Sequence, residues 1–256
     1  VAMNIAMALR KHGAPVSLLT SVGADSAGRD LLVEAKRRGI ETALVHISKK
    51  HPTDQYIAIE GSNGLVAAIA DAGSLEAEAK SVITPMLDGR LGSVETPFEG
   101  LIVCEGNLPS DALEFISGTA EFSKADLRLA PASPGKAERL KIFFGHPNAT
   151  IYVNLTEANI LLGAEYQDAH AAAAALVKTG LRKAAVTDGP NAAAVAEKQG
   201  AYTALPSAVD VLRVTGAGDV FMANHIVAEM QGMLGIKALN FALRQTAEYI
   251  STETLL

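Results

Sequence analysis

The segment Thr215-Gly216-Ala217-Gly218-Asp219 combines the residue types best suited to chemistry in this chain. Residues 220–230 behind it read as a helix, so the two glycines lie at a loop-to-helix junction. Successive backbone N–H groups and the positive end of the helix dipole face one spot there, and such a spot holds an anion. A carboxylate next to a bound anion is poor electrostatics for mere binding, yet it is well placed to take a proton from an attacking hydroxyl. The same five residues also read as an ordinary turn with Asp219 capping the helix. Short glycine motifs recur widely, so the rest of the chain has to choose between the two.

Other reactive residue types make weaker cases. Residues 23–30 nearly spell a phosphate-binding P-loop, but Arg29 and Asp30 stand where that loop requires Lys and Ser or Thr, which excludes it. The six histidines are scattered, without the His-Glu-x-x-His spacing that holds a catalytic metal. The single cysteine, Cys104, falls in an apolar run that reads as a buried strand; it excludes an intrachain disulfide and a multi-cysteine metal site. A lone cysteine fits a reducing compartment, and the cytoplasm is the expected location. The formal charge is −6, with no run of Lys or Arg, whereas nucleic acid and anionic membranes select a basic face; neither is an expected partner. The longest apolar stretches, 65–70 and 171–177, fall far short of the ~20 residues needed to span a bilayer. The opening residues lack the charged-then-apolar pattern of a secretion signal.

At 256 residues and 49% hydrophobic content, the chain can bury a substantial core in one large α/β domain. Residues 1–12 predict a helix, with Ala2, Ile5, Ala6 and Leu9 on one face and Gly13 as a stop signal. A buried strand is expected at 16–20, then a glycine turn at 23–28 and a helix over 29–38. Residues 44–72 switch to short β-type runs, 55–60 and 65–70, around Gly61-Ser62-Asn63-Gly64, which is hairpin-turn chemistry. They predict a small sheet outside the main layer. The α/β rhythm then resumes, with strands at 100–104, 127–131, 151–153, 184–187 and 192–196 and helices at 110–119, 137–143 and 168–179. This alternation implies a mainly parallel sheet covered on both faces.

Five motifs, in order, resemble those of the ribokinase-like (PfkB) carbohydrate kinases. Thr215 to Asp219 followed by Val220-Phe221-Met222-Ala223 is similar to the family's C-terminal signature. Val1-Ala2-Met3-Asn4-Ile5-Ala6 is similar to the end of its Gly-Gly-x-x-x-Asn-x-Ala motif, and Gly23-x-Asp25-x-x-Gly28 to its next glycine turn. Asn154-Leu155-Thr156-Glu157 resembles its Asn-x-x-Glu element, and Thr187-Asp188-Gly189 its Thr-x-Gly strand end. The resemblance implies a three-layer α/β/α fold with a mainly parallel central sheet and a small β-sheet lid. It implies one kinase domain over residues 1–256, the lid at about 44–72, and a family first strand, with its sugar-binding Asp, missing ahead of Val1.

The resemblance further implies that Asp219 is the catalytic base and that, in the turn opened by Gly216, the backbone amides of Ala217, Gly218 and Asp219 hold the transferring phosphate. Asn154 and Glu157 would hold magnesium through water, and with Thr187, Gly189 and Thr215 would line the nucleotide; ATP is the implied co-substrate. Asn4 would bind sugar hydroxyls. Within the family, residues 53–58, 67–71, 105–108, 131–133 and 187–191 are most similar to the pseudouridine kinase branch. By that likeness Thr53, Tyr56, Glu105 and Asn107 would face a nucleoside whose 5′-hydroxyl is phosphorylated. Other acceptors of the family (ribose, fructose, ketodeoxygluconate, adenosine) stay open, as does a non-catalytic nucleotide or sugar sensor. Arg213 stands where many members carry Asp or Asn near a monovalent cation, which puts potassium activation in doubt. The lid's unpaired edges suit a homodimer.

Overall fold

The computed structural model describes residues 1–61 and 64–252, so Ser62 and Asn63 of the expected hairpin turn lie outside the described residues. In chain order the elements are α1 (Ala2–Lys11), β1 (Ser21–Gly23), α2 (Ser26–Arg37), β2 (His46–Ser48), β3 (Gln55–Gly61), β4 (Gly64–Asp71), α3 (Gly73–Ala77) and α4 (Ala79–Ile83). Then follow β5 (Leu101–Glu105), α5 (Ser110–Gly118), β6 (Asp126–Ala130), a 3-10 helix (Pro134–Phe143), β7 (Ala149–Asn154), α6 (Leu155–Leu162) and α7 (Ala169–Lys178). The chain closes with β8 (Lys183–Thr187), β9 (Ala193–Glu197), β10 (Gly200–Ala204), α8 (Ala217–Met230) and α9 (Ile236–Ile250).

Six strands form the central sheet in the order β10-β9-β8-β7-β6-β5. β5 to β8 run parallel, and β9 and β10 add antiparallel pairings at one edge. The pleat sends alternate residues to opposite faces. Ile151, Val153, Ala184, Val186 and Ala194 pack with Leu113 of α5, Leu140 of the 3-10 helix, Leu161 of α6 and Leu176 of α7. Tyr152, Ala185 and Val195 pack on the other side with Ile5 of α1, Met222 of α8 and Leu239 of α9. The result is the expected α/β/α sandwich, with β3 and β4 standing apart as a two-stranded antiparallel sheet.

Helix α8 is the element that matters most for the site. Every residue from 220 to 228 is buried, as expected of a helix packed on all sides in the core of a large domain. Its buried polar groups are mostly paired, since an unpaired one costs ~1–3 kcal/mol; the exception is Asn224 Oδ1, which has no hydrogen-bond partner among the described residues. Asn224 donates to the Val220 carbonyl at 2.8 Å, and His225 meets the Tyr152 hydroxyl at 3.0 Å. Burial pushes the His225 imidazole down to about 4. Glu229, one turn further, pairs with Arg128 of β6 at 2.5 Å and with Lys183 of β8. The far end of α8 is thus tied to the sheet, and its N-terminus is fixed where Gly216 enters.

Two expected elements differ. Residues 16–20 form no strand beyond a single bridge from Ser17 to Glu41; the ladder resumes as β1, paired in parallel with β2 in a separate two-stranded sheet. The partner segment explains this, because it turns between Thr42 and Val45, where the Val45 N–H bonds the Thr42 carbonyl at 3.1 Å. Residues 137–143 belong to a 3-10 helix rather than an α-helix. Its buried residues Ala137, Leu140 and Phe143 recur every third position, which matches three residues per turn. No helix among the described residues is long and apolar enough to cross a membrane.

Candidate active site

The ends of the parallel strands and the start of α8 converge on one edge of the sheet. Glu105 ends β5, Asn154 ends β7, and Thr187 ends β8 in register beside Asn154. Ligands of open α/β sheets bind outside these carboxyl ends. Gly216 is the residue before α8, with φ of +85°, and a Cβ there would stand 2.8 Å from the Tyr249 hydroxyl. A glycine is therefore required on both backbone and steric grounds. The Tyr249 hydroxyl itself donates to the Thr215 carbonyl at 3.0 Å, bracing the turn from α9.

Asp219 lies in the first turn of α8 and accepts a hydrogen bond from Asn4 Nδ2 at 2.8 Å on Oδ2. Burial pushes its carboxyl above the ordinary range, which makes the carboxylate a stronger base. The Asn4 bond joins α1 to the first turn of α8. The start of α1 also lies against Glu105, so α1, β5 and α8 meet here. Glu105 accepts from the Ala2 N–H at 3.3 Å and from Asn107 Nδ2 at 3.0 Å.

The expected three-amide cradle is narrower than the sequence implies. The Ala217 N–H donates to the Val214 carbonyl at 3.1 Å, because the turn into α8 closes on that bond. The amides of Gly218 and Asp219 are the ones left without a backbone partner among the described residues, as the first N–H groups of a helix are.

Asn154 and Glu157 form a reciprocal capping box at the start of α6: the Glu157 N–H donates to Asn154 Oδ1, and the Asn154 N–H donates to Glu157 Oε2, both at 2.9 Å. The box engages Asn154 Oδ1, the single oxygen of that side chain, and one of the two Glu157 carboxylate oxygens. Burial, with the Asp219 charge adding to it, raises the Glu157 carboxyl, so two carboxylates share a region that a cation would relieve. Among the described residues no three His, Cys, Asp or Glu side chains cluster to cage a metal alone. That suits magnesium, which is commonly held by one or two carboxylates together with substrate phosphates.

Not every expected residue reaches this place. Thr53 is buried at a junction: its hydroxyl donates to Asp25 Oδ1 at 2.6 Å and accepts from the Gly23 N–H at 3.0 Å, while its own N–H donates to Asp25 Oδ2 at 2.8 Å. These bonds hold it at the entry to α2. Tyr56 projects from the hairpin and is 58% exposed. Gly189 lies in a turn just past β8, with φ of +52°. Arg213 donates to the Thr252 carbonyl at 2.6 Å and stacks 5.2 Å from the Tyr249 ring centroid. Lys136, Arg139 and Tyr249 also border the site, and no local motif marks them. Cys104 is buried with its thiol pushed up to about 12 by desolvation, so it is no nucleophile.

The sheet, the covering helices and the carboxylate beside open helix amides are those of a ribokinase-like kinase fold. The pfkB family of carbohydrate kinases matches residues 1–252, and the chain belongs to that family. It is 25% identical over 258 residues to the pseudouridine kinase of Escherichia coli (strain K12), across 99% of this chain and 80% of that protein. Among solved structures it superposes on an adenosine kinase from Anopheles gambiae with a TM-score of 0.82 at 15% identity, covering 99% of this chain and 79% of that one. A ribokinase from Thermotoga maritima gives 0.75 at 18%, covering 98% and 80%. The protein is a sugar or nucleoside kinase.

Proposed function

We propose that this kinase transfers the γ-phosphoryl group of ATP to the 5′-hydroxyl of a nucleoside, pseudouridine being the best-supported acceptor. The observation that carries the reading is the half-buried Asp219 carboxylate, bonded to Asn4 and set beside the open amides of Gly218 and Asp219. Asp219 takes the proton of the acceptor hydroxyl, whose oxygen attacks the γ-phosphorus. The bond to the β–γ bridging oxygen breaks and ADP leaves. The two amides hold the charge on the phosphoryl oxygens, which is the larger part of what a protein contributes to this reaction. Asn4, Glu105 and Asn107 position the acceptor, and Thr187, Gly189 and Thr215 border the nucleotide. Asn154 and Glu157 would hold magnesium through water, and the ion would neutralise charge on the phosphates. Pseudouridine is favoured by likeness to the Escherichia coli enzyme.

The hairpin adds a structural component to the proposal. Ile57, Ile59 and Ile69 are exposed on β3 and β4, and an isolated two-stranded hairpin is marginal in water. A second copy of the chain covering this sheet would bury them. The test of the substrate assignment is an ATP-consumption assay with magnesium against pseudouridine, ribose, fructose, ketodeoxygluconate and adenosine. Highest kcat/KM on pseudouridine supports the assignment, and highest kcat/KM on another acceptor replaces it. Stabilisation by ligand without turnover on any acceptor would favour a sensor.

A further inference from the structure

The polar row that starts beside Asp219 ends on a residue that no motif marks. Lys136, in the first turn of the 3-10 helix, donates to Asn107 Oδ1 at 2.7 Å. Asn107 donates through Nδ2 to Glu105 Oε1 at 3.0 Å, and Glu105 accepts on Oε2 from the Ala2 N–H at 3.3 Å. An ammonium only donates and a carboxylate only accepts, so the row permits the Asn107 amide a single orientation. Among the described residues, one Asn107 N–H and the remaining Lys136 N–H groups have no hydrogen-bond partner at the end of the row away from Asp219.

A plainer role for Lys136 would be to pin the loop after β5, but Arg139, one turn further on, already does that. Its Nη1 donates to the carbonyls of Gly106, Asn107 and Leu108 at 3.0, 3.4 and 3.2 Å, and its guanidinium pairs with Glu76 at 3.2 Å. Gly106 also packs against Pro131, where a Cβ would stand 2.2 Å from the carbonyl oxygen. Lys136 lies 3.8 Å from Glu76, remains 22% exposed, and has an active-site side chain as its hydrogen-bond partner. The backbone leading to it is strained: Ala132 has φ of +69°, the one non-glycine residue with positive φ among those described. That conformation costs an L residue ~1–2 kcal/mol, and such outliers cluster where geometry serves function.

We propose that Lys136 is a specificity-determining residue of the acceptor site. It locks Asn107 and Glu105, and it makes the end remote from Asp219 a donor-rich edge for the ring carbonyl oxygens of a nucleobase. This rests on the nucleoside reading above. A plain sugar has no carbonyl to meet these donors, whereas a uracil-type ring has two. A site built to hydrogen-bond its substrate discriminates through the groups left unpaired.

The test is the kinetics of Lys136→Met and Lys136→Arg, with KM and kcat for pseudouridine, ribose and ATP and a thermal melt of each protein. Lys136→Met is expected to raise the pseudouridine KM roughly 10–100-fold, the worth of a hydrogen bond to a charged group. The ATP KM stays at its wild-type value, ribose loses far less than pseudouridine does, and Lys136→Arg recovers part of the loss. An unchanged pseudouridine KM overturns the proposal. So does a loss shared equally with ATP and ribose together with a lower melting temperature, the mark of a loop pin. Wild-type protein that turns over plain sugars but no nucleoside would remove the nucleoside reading, and this proposal with it. That failure shows in the wild type, whereas one confined to Lys136 shows only in the variants.

Discussion

Gly216 and Gly218 stand two residues apart in the same turn, and alanine at each separates what the turn does for the fold from what it does for phosphate. At Gly216, φ is +85° and the added Cβ would meet the Tyr249 hydroxyl at 2.8 Å. The left-handed backbone costs ~1–2 kcal/mol, and displacing Tyr249 forfeits its bond to Thr215, worth ~1 kcal/mol. Gly216→Ala should therefore lower stability by about 2–3 kcal/mol. At Gly218, inside the first turn of α8, a Cβ meets no heavy atom within 4 Å among the described residues. Alanine is favoured over glycine inside a helix by about 0.5–1 kcal/mol, so Gly218→Ala should be the more stable protein. Its activity should nonetheless fall. Each Cα–Cβ bond tilts toward the helix N-terminus, so in the first turn the methyl enters the ground that the open amides face. A methyl that keeps the phosphoryl oxygens from these donors should cost about what removing one oxyanion donor costs, roughly 10²–10³-fold in kcat. Urea unfolding followed by circular dichroism, with a coupled assay of ADP release, reads both quantities. A Gly218→Ala protein that is more stable and turns over at the wild-type rate would show that the phosphoryl group does not sit at this turn.

Three further outcomes are expected. Hydrogen bonds from the Thr53 hydroxyl and amide and from the Gly28 amide hold Asp25 down to about 2. A depressed carboxylate contributes stability above its ordinary range and loses it as pH falls toward that value, so Asp25→Asn should flatten acid unfolding below about pH 4; an unaltered acid limb would count against the junction. Gln at the same position still serves a capping box, so Glu157→Gln should keep the melting temperature while raising the magnesium needed for half-maximal rate; an unchanged magnesium titration would limit Glu157 to capping. Added potassium should change turnover little, because the Arg213 guanidinium is fixed on the Thr252 carbonyl and over Tyr249; a large gain would contradict this.

What was legible in the sequence was local. The Gly216 to Asp219 turn and the Asn154 to Glu157 box each lie within one helical turn, so spacing alone conveys their geometry. The alternation in β7 and β8 likewise follows from the pleat. The bonds that hold Thr53 are not legible locally, because its partner Asp25 is 28 residues away and the contact depends on how β1 meets the start of α2. The contact of Lys136 is non-local for the same reason: it reaches Asn107 only because β6 lies beside β5. The strand expected at 16–20 depended on a partner segment that turns away at Thr42, which nothing in those five residues encodes.

The most direct test of the central claim is the turnover of Asp219→Asn on the best acceptor of the wild-type protein, measured as ADP release with magnesium. The substitution is nearly isosteric, and an amide oxygen can still accept the Asn4 hydrogen bond, so the fold is retained while the base is lost. A fall of roughly 10²–10⁴-fold, with wild-type ligand binding and an intact melt, is the predicted result. Near-normal turnover would contradict the account.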